Sequence, residues 1–160
     1  RSRRVRPGAR DSPQGTRPPA TIVGVVLDTS VLVAAERHAD HFDAFLDSLR
    51  DEAVSIAAIT ASELLHGCHR AASAGVRARR AAFVEGVLTL IPVLPFGLRE
   101  ARRHAELWAE LAKAGTMIGP HDLMIGATAL AAGHALATLN VREFLLVPGL
   151  KLVAADPLGP

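Results

Sequence analysis

VVLDTSVL, residues 25–32, joins a short apolar run to an acidic residue and two hydroxyl residues. The apolar run from residue 22 to residue 27 is rich in β-branched side chains and predicts a central, buried strand. Asp28 and the two residues after it are typical of a helix start, because their side-chain oxygens can accept hydrogen bonds from free backbone N–H groups. The stretch therefore predicts a strand that passes directly into a helix at a carboxylate.

The same alternation of strands and helices continues along the chain. Further strands are predicted at 53–59, 91–94, 135–139 and 150–153, and helices at 28–37, 39–50, 60–72, 75–90, 98–114 and 120–132. Pro92 indicates an edge position for its strand, because proline cannot donate to a sheet ladder. The alternation predicts an α/β fold, a three-layer α/β/α arrangement around a mostly parallel five-stranded sheet.

For two of the helices, the sequence makes more detailed predictions. Thr60-Ala61-Ser62-Glu63 matches the capping-box pattern, so the third helix is predicted to begin at Thr60 with Glu63 in its first turn. The helix over 98–114 is predicted to bury a stripe that includes Ala101, Ala105, Trp108 and Ala112.

Length and charge divide the chain into a tail and one domain. A chain of 160 residues is the size of a single domain, which we assign to residues 21–160. Residues 1–20 contain six Arg, one Asp and almost no apolar residues, so we predict a disordered Arg/Pro-rich tail. The tail either attracts phosphates nonspecifically or is an extension without a role. The remainder holds 12 basic and 15 acidic residues, so the basic character belongs to the tail.

Composition excludes several classes of protein. The single cysteine, Cys68, permits no internal disulfide and favours a reducing cytoplasm. The longest apolar stretch, residues 123–139, is interrupted by Gly133-His134 and is short for a membrane span, so no membrane association is expected. Aromatic residues make up 4% of the chain and Tyr is absent, which argues against stacking platforms for single-stranded nucleic acid.

Four acid or amide residues stand where predicted strands end or helices begin: Asp28, Glu63, Asp122 and Asn140. Ligands of open parallel sheets gather at the carboxyl ends of the strands, so these side chains are expected to converge there. Grouped carboxylates repel one another, and a hard divalent cation relieves that repulsion. The set predicts an Mg²⁺ or Mn²⁺ site and phosphate chemistry. Taken singly, each residue can also be explained as a cap, a dipole partner or a turn residue.

Other residues give weaker signals. Glu63 and His66 form Glu-x-x-His, but a di-iron site needs a second copy, which the sequence lacks. His121 either contacts substrate, orients a carboxylate or belongs only to the start of its helix. Arg102 and Arg103 are candidates for a basic rim that holds an anionic backbone. No phosphate-binding loop and no dinucleotide fingerprint are present.

The sequence resembles the PIN domain, and more closely the VapC-type ribonuclease toxins of bacterial type II toxin–antitoxin pairs. The resemblance covers about residues 23–153 and lies in the order and spacing of four segments: LDTSVLV from Leu27, TASEL from Thr60, DLMIGATAL from Asp122 and TLNVREF from Thr138.

The resemblance implies the roles of individual residues. Asp28, Glu63 and Asp122 match the acidic metal-site positions of the family, and Ser30 and Thr138 match small hydroxyl residues near them, which we include as substrate-binding candidates. The fourth site position, often Asp in the family, is Asn140 here, which adds no charge.

The resemblance also implies an activity and its partners. We expect an Mg²⁺-dependent endoribonuclease, with Mn²⁺ as the alternative ion, that hydrolyses RNA phosphodiester bonds by metal-assisted attack of water. A small VapB-type antitoxin and a homodimer are expected, with the apolar face of the helix pair over 29–50 as the antitoxin groove. Two alternatives stay open: a PIN-like assembly or RNA-binding module without catalysis, and a structure-specific DNA nuclease.

Overall fold

A computed structural model describes residues 24–49 and 51–155 of the protein. The predicted tail at 1–20 and the first two residues of the predicted first strand lie outside the described residues. The elements, in chain order, are β1 Gly24–Leu27, α1 Thr29–Arg37, α2 Ala39–Ser48, β2 Ala53–Ala57, α3 Ala58–His69, α4 Ala74–Leu90, β3 Val93–Leu94, α5 Leu98–Lys113, α6 Pro120–Ala132, β4 Ala135–Ala137, α7 Val141–Phe144 and β5 Leu152–Val153.

The strands form one parallel sheet in the order β3-β2-β1-β4-β5. β1 is central, as its apolar sequence predicts, and all four of its residues are buried. β3 lies at the edge, which confirms the position expected from Pro92. The carbonyl of Pro92 still accepts a hydrogen bond from the amide of Ile56 at 3.0 Å. The parallel arrangement brings the carboxyl ends of all the strands to one edge of the sheet.

The sheet separates two apolar cores. Val25 and Leu27 of β1 face a core that also contains residues of α1, α2, α3 and α4. Val26, between them, faces a second core that contains residues of α5, α6 and α7. Successive strand residues point to opposite faces, so a fully apolar strand needs helices on both sides. This arrangement confirms the predicted three-layer fold.

The apolar face of α1 and α2 packs inward. Leu32, Phe42 and Phe45 are buried in the first core. That face therefore helps to hold the sheet and is not the open groove expected for a partner.

Within the described residues, no helix combines the length and the apolar character that a membrane crossing requires.

The predicted capping box is wrong. α3 begins at Ala58, directly after β2, and the residue before it makes no side-chain cap. Because the strand passes into the helix without a turn, Glu63 lies in the second turn of α3. Thr60, the predicted cap, is fully buried, and its hydroxyl has no hydrogen-bond partner among the described residues.

The predicted buried stripe of α5 is also wrong. Leu107 and Leu111 face the core, whereas Trp108 is 54% exposed. Glu100 is buried on the same helix because its carboxylate accepts hydrogen bonds from the amide of Gly97 at 3.0 Å and the side chain of Arg99 at 2.8 Å. Burial by itself raises the pKa of Glu100, but these hydrogen bonds outweigh it and the pKa lies below its usual range.

Candidate active site

Asp28 leaves the central strand at the carboxyl edge of the sheet. Its backbone amide donates to the carbonyl of Ala137 in β4 at 2.9 Å, and the residue is buried. The expected side-chain cap on α1 is absent. Instead, Oδ2 of Asp28 accepts hydrogen bonds from the hydroxyls of Ser30 at 2.6 Å and Thr138 at 2.8 Å. The carboxylate is thus oriented by side chains from two neighbouring strand ends.

The two hydroxyl groups are themselves held by the backbone that follows β4. The amide of Leu139 donates to Oγ of Ser30 at 3.0 Å, and the amide of Asn140 donates to Oγ1 of Thr138 at 2.9 Å. A hydroxyl that accepts from the backbone turns its proton toward its own acceptor. Each hydroxyl therefore presents its proton to Asp28. Among the described residues, no hydrogen bond reaches Oδ1 of Asp28, which leaves that oxygen free for a ligand.

Glu63 connects three helices at the same edge. Its Oε2 accepts a hydrogen bond from the hydroxyl of Thr29 in α1, and its Oε1 lies 2.8 Å from Nδ1 of His121 in α6. The Glu63 side chain is 28% exposed and that of His121 is 55% exposed. The structure therefore supports the interpretation of His121 as a residue that orients a carboxylate.

Asp122 lies in the first turn of α6, as predicted, with Pro120 at the helix start. Its pKa is raised from 3.8 to about 6 by partial burial and by repulsion from the carboxylates of Asp28, Glu143 and Glu63, which His121 partly opposes. The charges of Asp28 and Glu63, the other two acids singled out in the sequence, therefore act on Asp122. Around Asp122, three carboxylates thus oppose its negative charge and one histidine favours it.

Glu143 was missed in the sequence. It lies on α7, the short helix after β4, and is one of the charges that raise the pKa of Asp122. Its signal in the sequence is its position three residues after Asn140, one helical turn further on. Asn140 itself is exposed and joins the site through its backbone amide. At the fourth polar position of the site, the residue is therefore an exposed Asn140, and the negative charge comes from Glu143 nearby.

The two candidate arginines make no contact with the carboxylates in the described part of the chain. Arg103 pairs with Glu106 of its own helix at 3.0 Å, and Arg102 is exposed on α5. Their contact with an RNA backbone stays a prediction.

The donor set suits a hard cation more than zinc. The described residues contain no group of three His, Cys, Asp or Glu side chains arranged to hold a metal directly. Mg²⁺ keeps several waters and binds through one or two carboxylates, so it does not require such a cage. The free oxygen of Asp28 and the repelled carboxylate of Asp122 are the oxygen ligands that Mg²⁺ prefers.

Comparison with known proteins places this site in a family. The profile described as "PIN domain" matches residues 25–149, from the central strand to the loop before β5. Ribonuclease VapC1 of Rickettsia felis is 36% identical over 134 residues, covering 84% of this chain and 98% of the relative. The tRNA(fMet)-specific endonuclease VapC of Salmonella typhimurium is 30% identical over 127 residues, covering 79% and 94%.

A solved structure has the same fold over most of the chain. The DNA-bound VapBC of Salmonella typhimurium superposes with a TM-score of 0.76 at 28% identity, covering 84% of this chain and 99% of the other. The matched range includes Asp28, Glu63, Asp122 and Glu143. On this combination of fold, acidic edge and sequence identity, the chain belongs to the PIN-domain family and, within it, to the VapC ribonucleases of toxin–antitoxin systems.

Proposed function

We propose that this ribonuclease is an Mg²⁺-dependent endonuclease, with Mn²⁺ as the alternative ion, that cuts RNA phosphodiester bonds at the acidic edge. The observation that carries the proposal is the convergence of carboxylates on Asp122, whose pKa is raised to about 6 by burial together with the charges of those carboxylates. Repulsion of this kind destabilises an empty site and favours one that binds a doubly charged ion. Asp28, Glu63 and Asp122 are the proposed metal-site residues around an ion that keeps several of its waters, so they do not all need to contact it directly, and Glu143 adds to the negative field.

The chain prepares this site in three ways. The hydroxyls of Ser30 and Thr138 hold one oxygen of Asp28, and among the described residues no hydrogen bond holds the other. Thr29 and His121 hold the two oxygens of Glu63. The start of α6 adds the partial positive charge of a helix N-terminus beside Asp122, which favours a phosphate group.

A divalent ion held at Asp28, Glu63 and Asp122 would supply Lewis-acid polarisation of the phosphoryl oxygen and a water acidic enough to provide hydroxide near neutral pH. Ser30 and Thr138 act in this proposal by positioning Asp28. Asn140 remains a proposed catalytic residue at the exposed rim, and Arg102 a candidate for contact with an RNA phosphate. Arg103 is the weaker candidate because its guanidinium already forms an ion pair with Glu106.

The biological setting completes the proposal. A VapB-type antitoxin is the proposed inhibitor, since solved structures of the same fold are described as VapBC, and one of them as a member of the VapBC family of toxin-antitoxin systems. We also propose a homodimer, a cytoplasmic location and a domain over residues 21–160. The name of the Salmonella relative makes initiator tRNA the first RNA to test.

The test is RNA cleavage by the purified chain in EDTA, Mg²⁺ and Mn²⁺. We expect cleavage only with a divalent ion, and its loss in Asp122→Asn. Glu85→Gln, an exposed carboxylate on α4, is the matched control and should retain activity. Full activity in EDTA or in Asp122→Asn would overturn the proposal. Cleavage of branched DNA but not RNA would indicate the DNA-nuclease alternative, and RNA binding without cleavage the assembly module.

A further inference from the structure

An apolar slot of about 140 Å³ lies between α5 and the start of α6. Its lining residues are His104, Trp108, Met117, Ile118, Pro120 and Leu123. Ile118 and Leu123 are buried, whereas Trp108 is 54% and Met117 58% exposed. Large exposed aromatic side chains beside a preformed apolar slot indicate a contact surface.

The ring of Trp108 is part of a short aromatic series. The ring centroids of His104 and Trp108 are 5.9 Å apart with an interplanar angle of 69°, and Phe96 contacts His104 in a similar edge-to-face arrangement. Edge-to-face pairs stabilise a defined ring orientation. The slot is therefore bordered by an indole whose position is fixed by a neighbour and by an imidazole that can form hydrogen bonds.

The slot and the acidic site share the first turn of α6. Pro120 and Leu123 line it, and the two residues between them on the chain are His121 and Asp122. All four belong to the first turn of α6, which rises about 5 Å. A chain that passes the carboxylates with its phosphates can therefore place a neighbouring group in the slot.

We propose that the slot binds one nucleobase of the RNA substrate, next to the phosphodiester that is cut, by stacking on Trp108. The inference rests on the proposed function and names a contact of its substrate. An apolar cavity of about 150 Å³ accepts a benzene ring, so the slot has the size for one aromatic ring system. Unpaired bases are commonly stacked on aromatic side chains by RNA-binding proteins.

A second copy of the chain is a poorer occupant. A stable protein interface covers about 800 Å² on each partner, far more than a ring-sized slot bordered by six residues offers. Continuity with the acidic site also favours the substrate. The low aromatic content argues against an extended stacking surface, but a single indole at the right place is enough for one base.

Tryptophan fluorescence provides a direct test, because Trp108 is the only tryptophan in the sequence. The full chain with Asp28→Asn would be mixed with a dye-labelled RNA whose cut position has been mapped with the active protein. Binding is followed by the anisotropy of the dye and stacking by the tryptophan emission. We expect the emission to fall with the same midpoint as the anisotropy change.

A series of RNAs with one abasic nucleotide each locates the base. We expect quenching to be lost for one position flanking the cut and kept for the others. RNA that binds with unchanged tryptophan emission, or quenching that survives every abasic position, would overturn the inference.

Kinetics of the active protein give a second test. Trp108→Ala should raise KM about tenfold with little change in kcat, because stacking contributes equally to ground and transition states. Trp108→Phe should keep most of the affinity. Leu98→Ala, which removes a 70% exposed apolar side chain from the same helix outside the slot, should have no effect.

The outcomes separate the inference from the proposed function. An active nuclease in which Trp108→Ala and Leu98→Ala have equal KM values would overturn the slot alone. A change of molecular mass in sedimentation for Trp108→Ala would reassign the slot to contact between copies. Failure of the wild-type chain to cut any RNA with Mg²⁺ or Mn²⁺ would overturn both.

Discussion

The acidic site has two halves that are held in different ways. The strand half consists of Asp28, Ser30 and Thr138, at the ends of β1 and β4. The helix half consists of Glu63, His121 and Asp122, from α3 and the first turn of α6. In the strand half, the carboxylate is buried and two hydroxyls donate to one of its oxygens. In the helix half, the groups are partly exposed and Asp122 has a raised pKa.

The difference shows how one site combines position with charge. Hydrogen bonds from Ser30 and Thr138 to the buried carboxylate of Asp28 fix the strand half, since a misplaced hydroxyl would leave polar groups unpaired. The helix half carries the electrostatic repulsion, and its exposure lets a hydrated ion approach. We therefore expect variants of the strand half to change geometry and activity, and variants of the helix half to change the response to pH and metal.

The largest effect is expected for Asp28→Asn. The amide keeps an oxygen that can accept from Ser30 and Thr138 but removes the charge that binds a metal ion. We expect kcat/KM for RNA to fall about 1,000-fold. Melting temperature and circular dichroism should stay near wild type. Activity within tenfold of wild type in the folded variant would contradict a catalytic role for the strand half.

Thr138→Val tests the orientation of the Asp28 carboxylate without removing its charge. Valine keeps the shape of threonine but leaves Asp28 with one hydroxyl donor and the amide of Asn140 without its acceptor. We expect activity to fall between about 10-fold and 100-fold, as for other residues that orient a metal ligand. The free energy of unfolding should fall by about 1–2 kcal/mol in urea denaturation.

Thr138→Ser is the matched control, because serine keeps the hydroxyl and loses one methyl group. It should retain most of the activity. Equal losses in the serine and valine variants would mean that packing of the methyl group, and not the hydroxyl, supports Asp28.

The strand half could be predicted from the sequence because its signals are local. The apolar run before Asp28 identifies a buried strand, and the position of the acid at its end identifies the functional edge. The alternation of elements predicts the layers and the parallel sheet by the same kind of reasoning. The structure confirms the central position of β1 and the edge position of β3.

The helix half depends on contacts between segments that are distant in the chain. It could therefore be predicted less well from the sequence. Thr29 and Glu63 are 34 residues apart, and Glu63 and His121 are 58 apart. Local capping chemistry favours Thr60 as the start of α3, but the parallel sheet carries β2 directly into a helix that begins at Ala58. The exposure of Trp108 likewise depends on which row of α5 packs on α6, which composition alone does not determine.

Asp122 gives a pH-dependent prediction for the helix half. Its pKa in the folded chain is about 6, above the ordinary value of 3.8, so between these pH values the folded chain binds more protons than the unfolded chain. The contribution of Asp122 to stability therefore decreases as pH rises through this window. After allowance for solvent screening, we expect a change of about 1 kcal/mol, or about 3 °C in melting temperature.

The measurement compares Asp122→Asn with wild type in EDTA from pH 4 to pH 7. The asparagine variant should melt at about the same temperature at pH 4 and about 3 °C higher at pH 7. Mg²⁺ at pH 7 should reduce that gap by stabilising only the wild type. Glu85→Gln should show no such trend. A gap that is constant with pH would mean that the pKa of Asp122 is not raised in the folded chain.

The smallest effect is expected for His121, which would sharpen the comparison within the helix half. Nδ1 of His121 holds one oxygen of Glu63 while Thr29 holds the other, so loss of the imidazole leaves Glu63 partly oriented. Because His121 is exposed, its hydrogen bond contributes little net free energy, and His121→Phe should lower kcat/KM only about threefold. The Mg²⁺ concentration for half-maximal activity should rise by a similar factor.

His121→Asn is the informative partner variant, because the asparagine amide lies close to the position of Nδ1 and can donate to the same oxygen. It should restore most of the activity and the Mg²⁺ dependence that the phenylalanine variant loses. Equal behaviour of the two variants would show that the hydrogen bond from His121 to Glu63 does not matter for cleavage. In that case, Thr29 alone would be sufficient to orient Glu63, and the two halves of the site would both depend on hydroxyl donors.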